Sequence, residues 1–256
     1  MHHIFSDISY IRDDGKRLVI TGEDHHHIVN VLRMRVGDEI SVTLKGEEDK
    51  EYRFGIEEMG EDQIICSLRF IKLTTAELSA KCILLQGLPK ADKMEQIIQK
   101  NVELGISEII PVRMSRSVVK LDEKKAASKV ERWNKIAKSA AMQSKRAVIP
   151  TVTELMDFKE ALAYVSDADL KILPYELEDM SKMEDTAALI GSVSNASKAA
   201  FIIGPEGGFS EKEVETAVKE GFAACTLGGR ILRTETAGMV VMSWLMYRLE
   251  IDRERK

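Results

Sequence analysis

The chain has 256 residues, 44% of them hydrophobic and 31% charged, which supplies enough apolar surface for a core and excludes a mainly disordered protein. Its length fits one or two domains, no run approaches the roughly 18 apolar residues of a membrane helix, and the start, Met1-His2-His3-Ile4-Phe5-Ser6-Asp7, lacks the basic and apolar parts of a secretory signal. A cytoplasmic location is expected. The net charge of −5 is unevenly spread: residues 81–146 carry +8, whereas residues 1–73 carry −5 and residues 147–256 carry −7. A basic block inside an acidic chain suits a localised polyanion contact, although solvated lysine-rich helix faces give the same signal.

From Met1 to Lys72 the pattern is mostly strand-like. Ile40–Leu44, Tyr52–Ile56 and Ile64–Leu68 are short apolar or alternating runs, divided by turn signals at Lys45-Gly46 and Met59-Gly60-Glu61-Asp62. One helix interrupts them, with Asp24 as the expected cap and Ile28, Val31 and Leu32 forming an apolar stripe. Residues 1–72 therefore read as a small barrel-like β domain, and residues 73–80 as a linker.

Residues 81–256 alternate between strands and helices. Cys82–Leu88 reads as a buried strand. Met94, Ile97, Ile98 and Val102 mark one helix face, with Gly105 as its stop. Ile106–Val112 follows as a strand, and Asp122–Gln143 as a long helix with Val130, Trp133, Ile136, Ala137 and Ala140 inward. Leu170–Leu173, Ala199–Ile203 and Ala224–Leu227 are short strands. A capping box, Ser210-x-x-Glu213, opens a further helix, and Thr234–Leu249 is the last. This alternation predicts a mostly parallel sheet covered on both faces.

Three cysteines, Cys66, Cys82 and Cys225, are far apart, and no CxxC pair suggests zinc or a disulfide framework. All five histidines lie between positions 2 and 27, so a site built from the later residues has no histidine of its own. The consecutive His25, His26 and His27 do not converge well on one ion, and no metal is expected. There is no P-loop, no GxGxxG and no GxSxG elbow.

Loops after the last three core strands hold the chemistry: Leu173-Pro174-Tyr175-Glu176, Gly204-Pro205-Glu206-Gly207-Gly208, and Leu227 to Ala237. Open α/β sheets bind ligands outside the carboxyl ends of their strands. Glycines there let a ligand approach the backbone, although each pair alone is also an ordinary turn. Two glycine-rich loops after neighbouring strands favour a ligand site.

Five segments carry a closer resemblance. They are Lys93-Met94-Glu95 through Glu103-Leu104-Gly105, Arg132-Trp133-x-Lys135-Ile136-Ala137, Gln143-Ser144-x-Arg146, Ile203-Gly204-Pro205-Glu206-Gly207-Gly208-Phe209-Ser210, and Leu227-Gly228-Gly229-Arg230-Ile231-Leu232-Arg233-Thr234-Glu235-Thr236-Ala237. Together with His26-His27-x-x-x-Val31-Leu32-Arg33-Met34-Arg35-x-Gly37-Asp38 near the start, they resemble the ribosomal RNA small subunit methyltransferase E family, the uridine-N3 methyltransferases of 16S ribosomal RNA. The resemblance implies a SPOUT-class parallel-sheet domain with a C-terminal trefoil knot over residues 81–256. It also implies a PUA-like RNA-binding domain over residues 1–72, an obligate homodimer, and S-adenosylmethionine as methyl donor with S-adenosylhomocysteine as product. The substrate partner would be 16S ribosomal RNA, within the small subunit.

By match to these motifs, the donor is expected against Leu173, Glu176, Ile203, Gly204, Pro205, Gly207, Leu227, Gly228, Ile231, Leu232 and Thr236. Uridine N3 must lose a proton to become a good nucleophile, so a cation beside O2 or O4 helps as a base does. Arg233 and Arg230 are the expected stabilisers, with Glu206 and Glu235 as nearby carboxylates. A structural Arg233–Glu235 pair, or Glu235 simply facing a helix dipole, are the plainer alternatives. Arg33, Arg35, Lys90, Lys93, Arg113, Arg116, Lys120, Lys145 and Arg146 are expected to track RNA phosphates. An RNA-binding or ribosome-assembly module without catalysis is the competing function, and a phosphoryl-transfer enzyme is disfavoured by the missing P-loop lysine.

Overall fold

A computed structural model describes residues 2–7, 10–13, 15–175 and 183–254. The chain divides into two compact units: residues 1–77 with 141–148, and residues 78–140 with 149–256. The sequence pattern has no signal for the excursion at 141–148, whose first residues, 141–143, still belong to the long helix.

The first unit is a curled mixed sheet of six strands: β1 (His2–Ser6), β2 (Ile11–Arg12), β3 (Arg17–Thr21), β4 (Glu39–Leu44), β5 (Lys50–Met59) and β6 (Gln63–Leu73). They lie in the order β1-β4-β5-β6-β3-β2. β1 runs parallel to β4, and the other pairs are antiparallel. Register shifts in the long β5–β6 hairpin, at Arg53/Phe54 and Ile56/Glu58, bend it as bulges do. The inner face is apolar throughout: Ile4, Leu18, Ile20, Ile40, Val42, Phe54, Ile56 and Ile64 are buried together. Helix α1 (Gly22–His26) continues into a wider π-helical turn, His27–Val31, in which the N–H of Leu32 reaches back to the His27 carbonyl. Its start differs from expectation. Thr21 stands at the cap without a side-chain bond, and Asp24 sits inside the first turn, because the strand runs straight into the helix and leaves no turn before Asp24.

The segment expected as a linker is anchored. Leu73 still belongs to β6, and the Glu77 carboxylate accepts hydrogen bonds from the Arg146 guanidinium and from the backbone N–H groups of Ala147 and Val148.

The second unit is a parallel sheet of seven strands: β7 (Lys81–Gly87), β8 (Glu108–Arg113), β9 (Thr151–Val152), β10 (Met156–Asp157), β11 (Leu170–Pro174), β12 (Lys198–Ile203) and β13 (Ala223–Cys225). The order is β10-β8-β7-β12-β11-β13, with β9 beside β8, and every pairing is parallel. Among the described residues the α-helices with it are α2 (Lys93–Glu103), α3 (Glu123–Gln143, whose last three residues fall in the first unit), α4 (Phe158–Tyr164), α5 (Met183–Gly191), α6 (Glu211–Lys219) and α7 (Thr234–Glu254). In β7, Cys82, Ile83, Leu84 and Leu85 are all buried, as a strand covered on both faces requires. One face packs Ile83, Leu85, Ile110, Val112 and Ile202 against Leu162, Val165 and Phe222. α7 packs against α2 and β12, and Gly238 of α7 lets the helix lie close to Asn101, Ile203 and Leu84. Gly105 ends α2 at φ +102°, and the Ser210/Glu213 capping box forms. Among the described residues no helix is long and apolar enough to cross a membrane.

The strand order reverses between β7 and β12. From β7 the sheet grows through β8, and from β12 through β11 and β13. Loops leaving the carboxyl ends of β11, β12 and β13 meet beside this switch point.

Candidate functional site

These three loops enclose a cavity of about 490 Å³, inside the usual range of about 300–1,000 Å³ for small-molecule sites. β12 delivers Ile203, Gly204, Pro205 and Glu206. The segment after β13 delivers Leu227, Gly228, Arg230, Ile231, Leu232 and Arg233. Backbone geometry explains the glycines. Gly228 has φ +97°, with open space where a Cβ would stand. A Cβ on Gly204 would lie 3.2 Å from the Gly208 carbonyl carbon and 3.3 Å from the Phe209 ring.

The expected residues divide into those the cavity collects and those it does not. Ile203, Gly204, Pro205, Leu227, Gly228, Ile231 and Leu232 line it, as do Arg230, Arg233 and Glu206. Leu173 does not, since it is fully buried in the core; the next residues, Pro174 and Tyr175, face the cavity instead. Gly207 turns to Arg116, whose guanidinium donates to the Gly207 carbonyl at 3.2 Å. Thr236 lies in the first turn of α7, outside the lining. Glu176 lies outside the described residues.

Lys93, expected to contact RNA phosphate, stands in the cavity wall. Its Nζ stands 3.1 Å from Glu206 and 3.3 Å from Glu235, so the lysine at the start of α2 joins both candidate carboxylates. Hydrogen bonding to Glu206 raises the pKa of Lys93 further above the ordinary lysine value. Burial alone would push the Glu206 carboxyl up. Its own backbone N–H, the backbone N–H of Lys90 and the Lys93 ammonium outweigh this and hold it below the ordinary value. The Arg233–Glu235 pairing does not form, because Glu235 faces Lys93. Arg230 and Arg233 are exposed at the cavity's edge, and neither guanidinium has a side-chain partner among the described residues. Ile231 beside them is 86% exposed.

Thr234 and Gln86 escaped the sequence reading. Thr234 lines the cavity from the first position of α7, and Gln86 is buried beneath it at the end of β7. A glutamine inside the otherwise apolar run Cys82–Leu88 was the available signal.

The remaining basic residues differ in availability. Arg33, Arg35, Lys90, Lys120 and Lys145 are exposed. Arg113 pairs with Asp157 at 3.2 Å, on the surface. Arg146 is only 3% exposed and closed onto Glu77, so it is removed from the phosphate-contacting set. Among the described residues no group of three or more His, Cys, Asp or Glu is placed to hold a metal. The three cysteines are buried, and burial pushes the Cys66 thiol up to about 12.

The parallel α/β unit, with glycine loops at its switch point, and the curled β unit correspond to two family models. Residues 76–246 match an RNA methyltransferase domain, and residues 20–69 match an RNA methyltransferase PUA domain. The class is thus that of RNA methyltransferases. A relative from Bacillus subtilis (strain 168), ribosomal RNA small subunit methyltransferase E, is 42% identical over 243 residues, covering 94% of each chain. The chain belongs to the ribosomal RNA small subunit methyltransferase E family. Two solved structures extend the likeness. The ribosomal RNA small subunit methyltransferase E of Neisseria gonorrhoeae, bound to S-adenosyl methionine, has a TM-score of 0.79 at 26% identity and covers 96% of this chain and 97% of that one. A putative methyltransferase of Legionella pneumophila, in complex with the same cofactor, has a TM-score of 0.81 at 29% identity over 96% of both chains.

Proposed function

We propose that this chain methylates N3 of a uridine in 16S ribosomal RNA of the small subunit, with S-adenosylmethionine as cofactor. The observation that carries the reading is the cavity at the sheet's switch point, with two exposed arginines at its edge. The lining fits the cofactor: Ile203, Leu227, Ile231 and Leu232 offer apolar contact for an adenine, and the glycines expose backbone groups to read its edge. When bound, the cofactor supplies an electrophilic methyl group.

The chain's own residues must make N3 nucleophilic. The N3–H bond breaks and its proton passes to water or to a carboxylate; the freed electron pair would form the N3–methyl bond as the sulfonium–methyl bond breaks, its electrons returning to sulfur and S-adenosylhomocysteine leaving. Glu206, held ionised by three donors, is a weak base for that proton. The larger share falls to Arg233 and Arg230, whose fixed charge near O2 or O4 lowers the cost of the uridine anion. Lys93 keeps Glu206 and Glu235 from cancelling that charge. The target base must leave its stack to enter, and exposed Arg33, Arg35, Lys90, Lys120 and Lys145 suit phosphate contacts.

The homodimer and the C-terminal knot belong to the same reading. In α7, Val241, Met242, Leu245 and Leu249 are buried, while Val240, Trp244 and Met246 are half-buried and Tyr247 is 67% exposed. A helix apolar on both faces calls for a second covering surface. The packing of α7 back onto α2 and β12 supports a chain end returned into the fold. A cytoplasmic location goes with a ribosomal RNA substrate and is part of the proposal.

The test is transfer of a tritiated methyl group to unmodified small subunits, naked 16S RNA and large subunits, with mapping of the product base. Labelling at uridine N3 in the small-subunit RNA is expected. Cofactor binding without transfer to any of the three would support a module without catalysis. Sedimentation of a monomer at micromolar concentration would overturn the dimer.

A further inference from the structure

Gln86 is fully buried at the carboxyl end of β7, one residue before Gly87. Its side-chain Nε2 donates to the Gly87 carbonyl at 3.0 Å and to Thr234 Oγ1 at 2.9 Å. Thr234 Oγ1 in turn donates to the Gly204 carbonyl at 2.7 Å. The directions are forced. Both end groups are carbonyls and can only accept, so the threonine proton goes to Gly204 and the amide must present its NH₂ to Thr234. Gln86 Oε1 is left buried without a hydrogen-bond partner among the described residues.

An orphaned buried oxygen is unfavourable, and an apolar residue would avoid it if packing were the only demand. What the amide secures is the relative placement of three backbones. Gln86 and Gly87 end the central strand. Gly204 forms the turn after β12. Thr234 opens α7 directly after Arg233, whose carbonyl accepts the N–H groups of Thr236 and Ala237. The two cavity walls, one from each glycine loop, therefore meet through a single relay of neutral hydrogen bonds. Gly87 shows how close the pieces lie: a Cβ there would stand 2.7 Å from Pro205 Cδ.

We infer that Gln86 and Thr234 are positioning residues that hold the two walls of the cofactor pocket in register and aim Arg233 from the start of α7. This rests on the reading of the cavity as the S-adenosylmethionine site. Neither residue is asked to touch the reacting atoms. Their effect passes through the Gly204 peptide and the first turn of α7.

The experiment measures S-adenosylmethionine affinity by calorimetry, and thermal stability in parallel, for the full-length chain and four variants. Thr234→Val keeps the shape and removes the hydroxyl; its dissociation constant is expected to rise about tenfold, the scale of one buried hydrogen bond. Thr234→Ser keeps the hydroxyl and is expected to stay within about twofold of the parent, on the same reasoning. Gln86→Leu is expected to weaken binding, and Gln86→Leu with Thr234→Val to bind no worse than Thr234→Val alone, because a relay broken once is broken. Lowered stability with unchanged affinity in both single variants, or strictly additive losses in the double, would overturn the inference. If Gln86→Leu does not fold, Thr234→Val against Thr234→Ser decides it. A parent chain that binds no S-adenosylmethionine would overturn the pocket reading itself, and the inference with it.

Discussion

In the first unit, the Arg146 guanidinium is buried against Glu77, and Arg53 pairs with Glu51 at 2.7 Å beside a Ser41 that His3 also contacts. In the second unit, Arg230 and Arg233 stand exposed at the lip of a cavity with no side-chain partner among the described residues. All four are arginines in a chain rich in cations, yet the first pair holds structure and the second is free to act on a ligand. The difference lies in what surrounds each guanidinium. A buried charge must be matched within the fold, whereas an exposed one beside a cavity keeps its donors for whatever enters. A positive block read from sequence therefore mixes two populations, and only the unmatched members are candidates for chemistry.

The largest expected effect is at the cavity's backbone. Gly204→Val and Gly228→Val should each abolish measurable S-adenosylmethionine binding in calorimetry while the circular dichroism of the β unit persists. Valine at φ +97° is strongly disfavoured, and at position 204 it meets the Gly208 backbone and Phe209. Unchanged affinity in both would place the cofactor elsewhere.

Next comes the buried pair. Arg146→Ala takes the guanidinium from a Glu77 carboxylate that is 28% exposed and keeps the Ala147 and Val148 N–H groups, and should cost about 3 kcal/mol in urea unfolding, the low end for a broken buried pair, with cofactor affinity intact. An Arg146→Ala chain of normal stability but reduced RNA binding would return this residue to the phosphate-contacting set and undo the contrast.

Arg233→Ala should show the reverse profile. Its single-turnover rate at saturating RNA is expected to fall by about a hundredfold, or roughly 3 kcal/mol, the scale of one well-aimed charged contact. RNA affinity and its salt dependence should change far less. A normal saturated rate with weakened, less salt-dependent binding would mark Arg233 as a phosphate contact.

The smallest effect concerns acid stability. Burial would raise the Glu213 carboxyl, but N–H and O–H donors from Ser115 and Ser210 outweigh it and hold the carboxyl below its ordinary value. A depressed carboxyl pKa means that the unfolded chain binds the proton more readily. Its contribution is therefore full above the ordinary value of 4.5 and is lost as the pH falls through the folded value. Glu213→Gln should cost about 1 kcal/mol near neutral pH, in the range of a lost helix cap, and should flatten the acid side of the stability curve. An unchanged acid limb would show that Glu213 contributes nothing through ionisation.

Several features were legible because they depend on near neighbours. The buried run at Cys82–Leu85, the Gly105 stop and the Ser210/Glu213 capping box all arise within a few residues, and each forms where the pattern put it. The two glycine-rich loops were readable too, since a loop after a buried strand opens at the sheet's edge. The Asp24 cap was misplaced because where a helix begins depends on where the preceding strand lets go, and β3 runs to Thr21.

Sequence alone settled the two kinds of pattern, the parallel-sheet character of residues 81–256, and most of the cavity lining, because periodicity and motif are local. Tertiary structure decided the partners. Lys93 reaches Glu206 and Glu235 across more than 100 residues, Gln86 reaches Thr234 across 148, and Arg146 finds Glu77 across 69. No spacing rule encodes such contacts. A charge or amide takes its role from what the fold brings within about 3 Å of it, since hydrogen bonds weaken steeply beyond that reach.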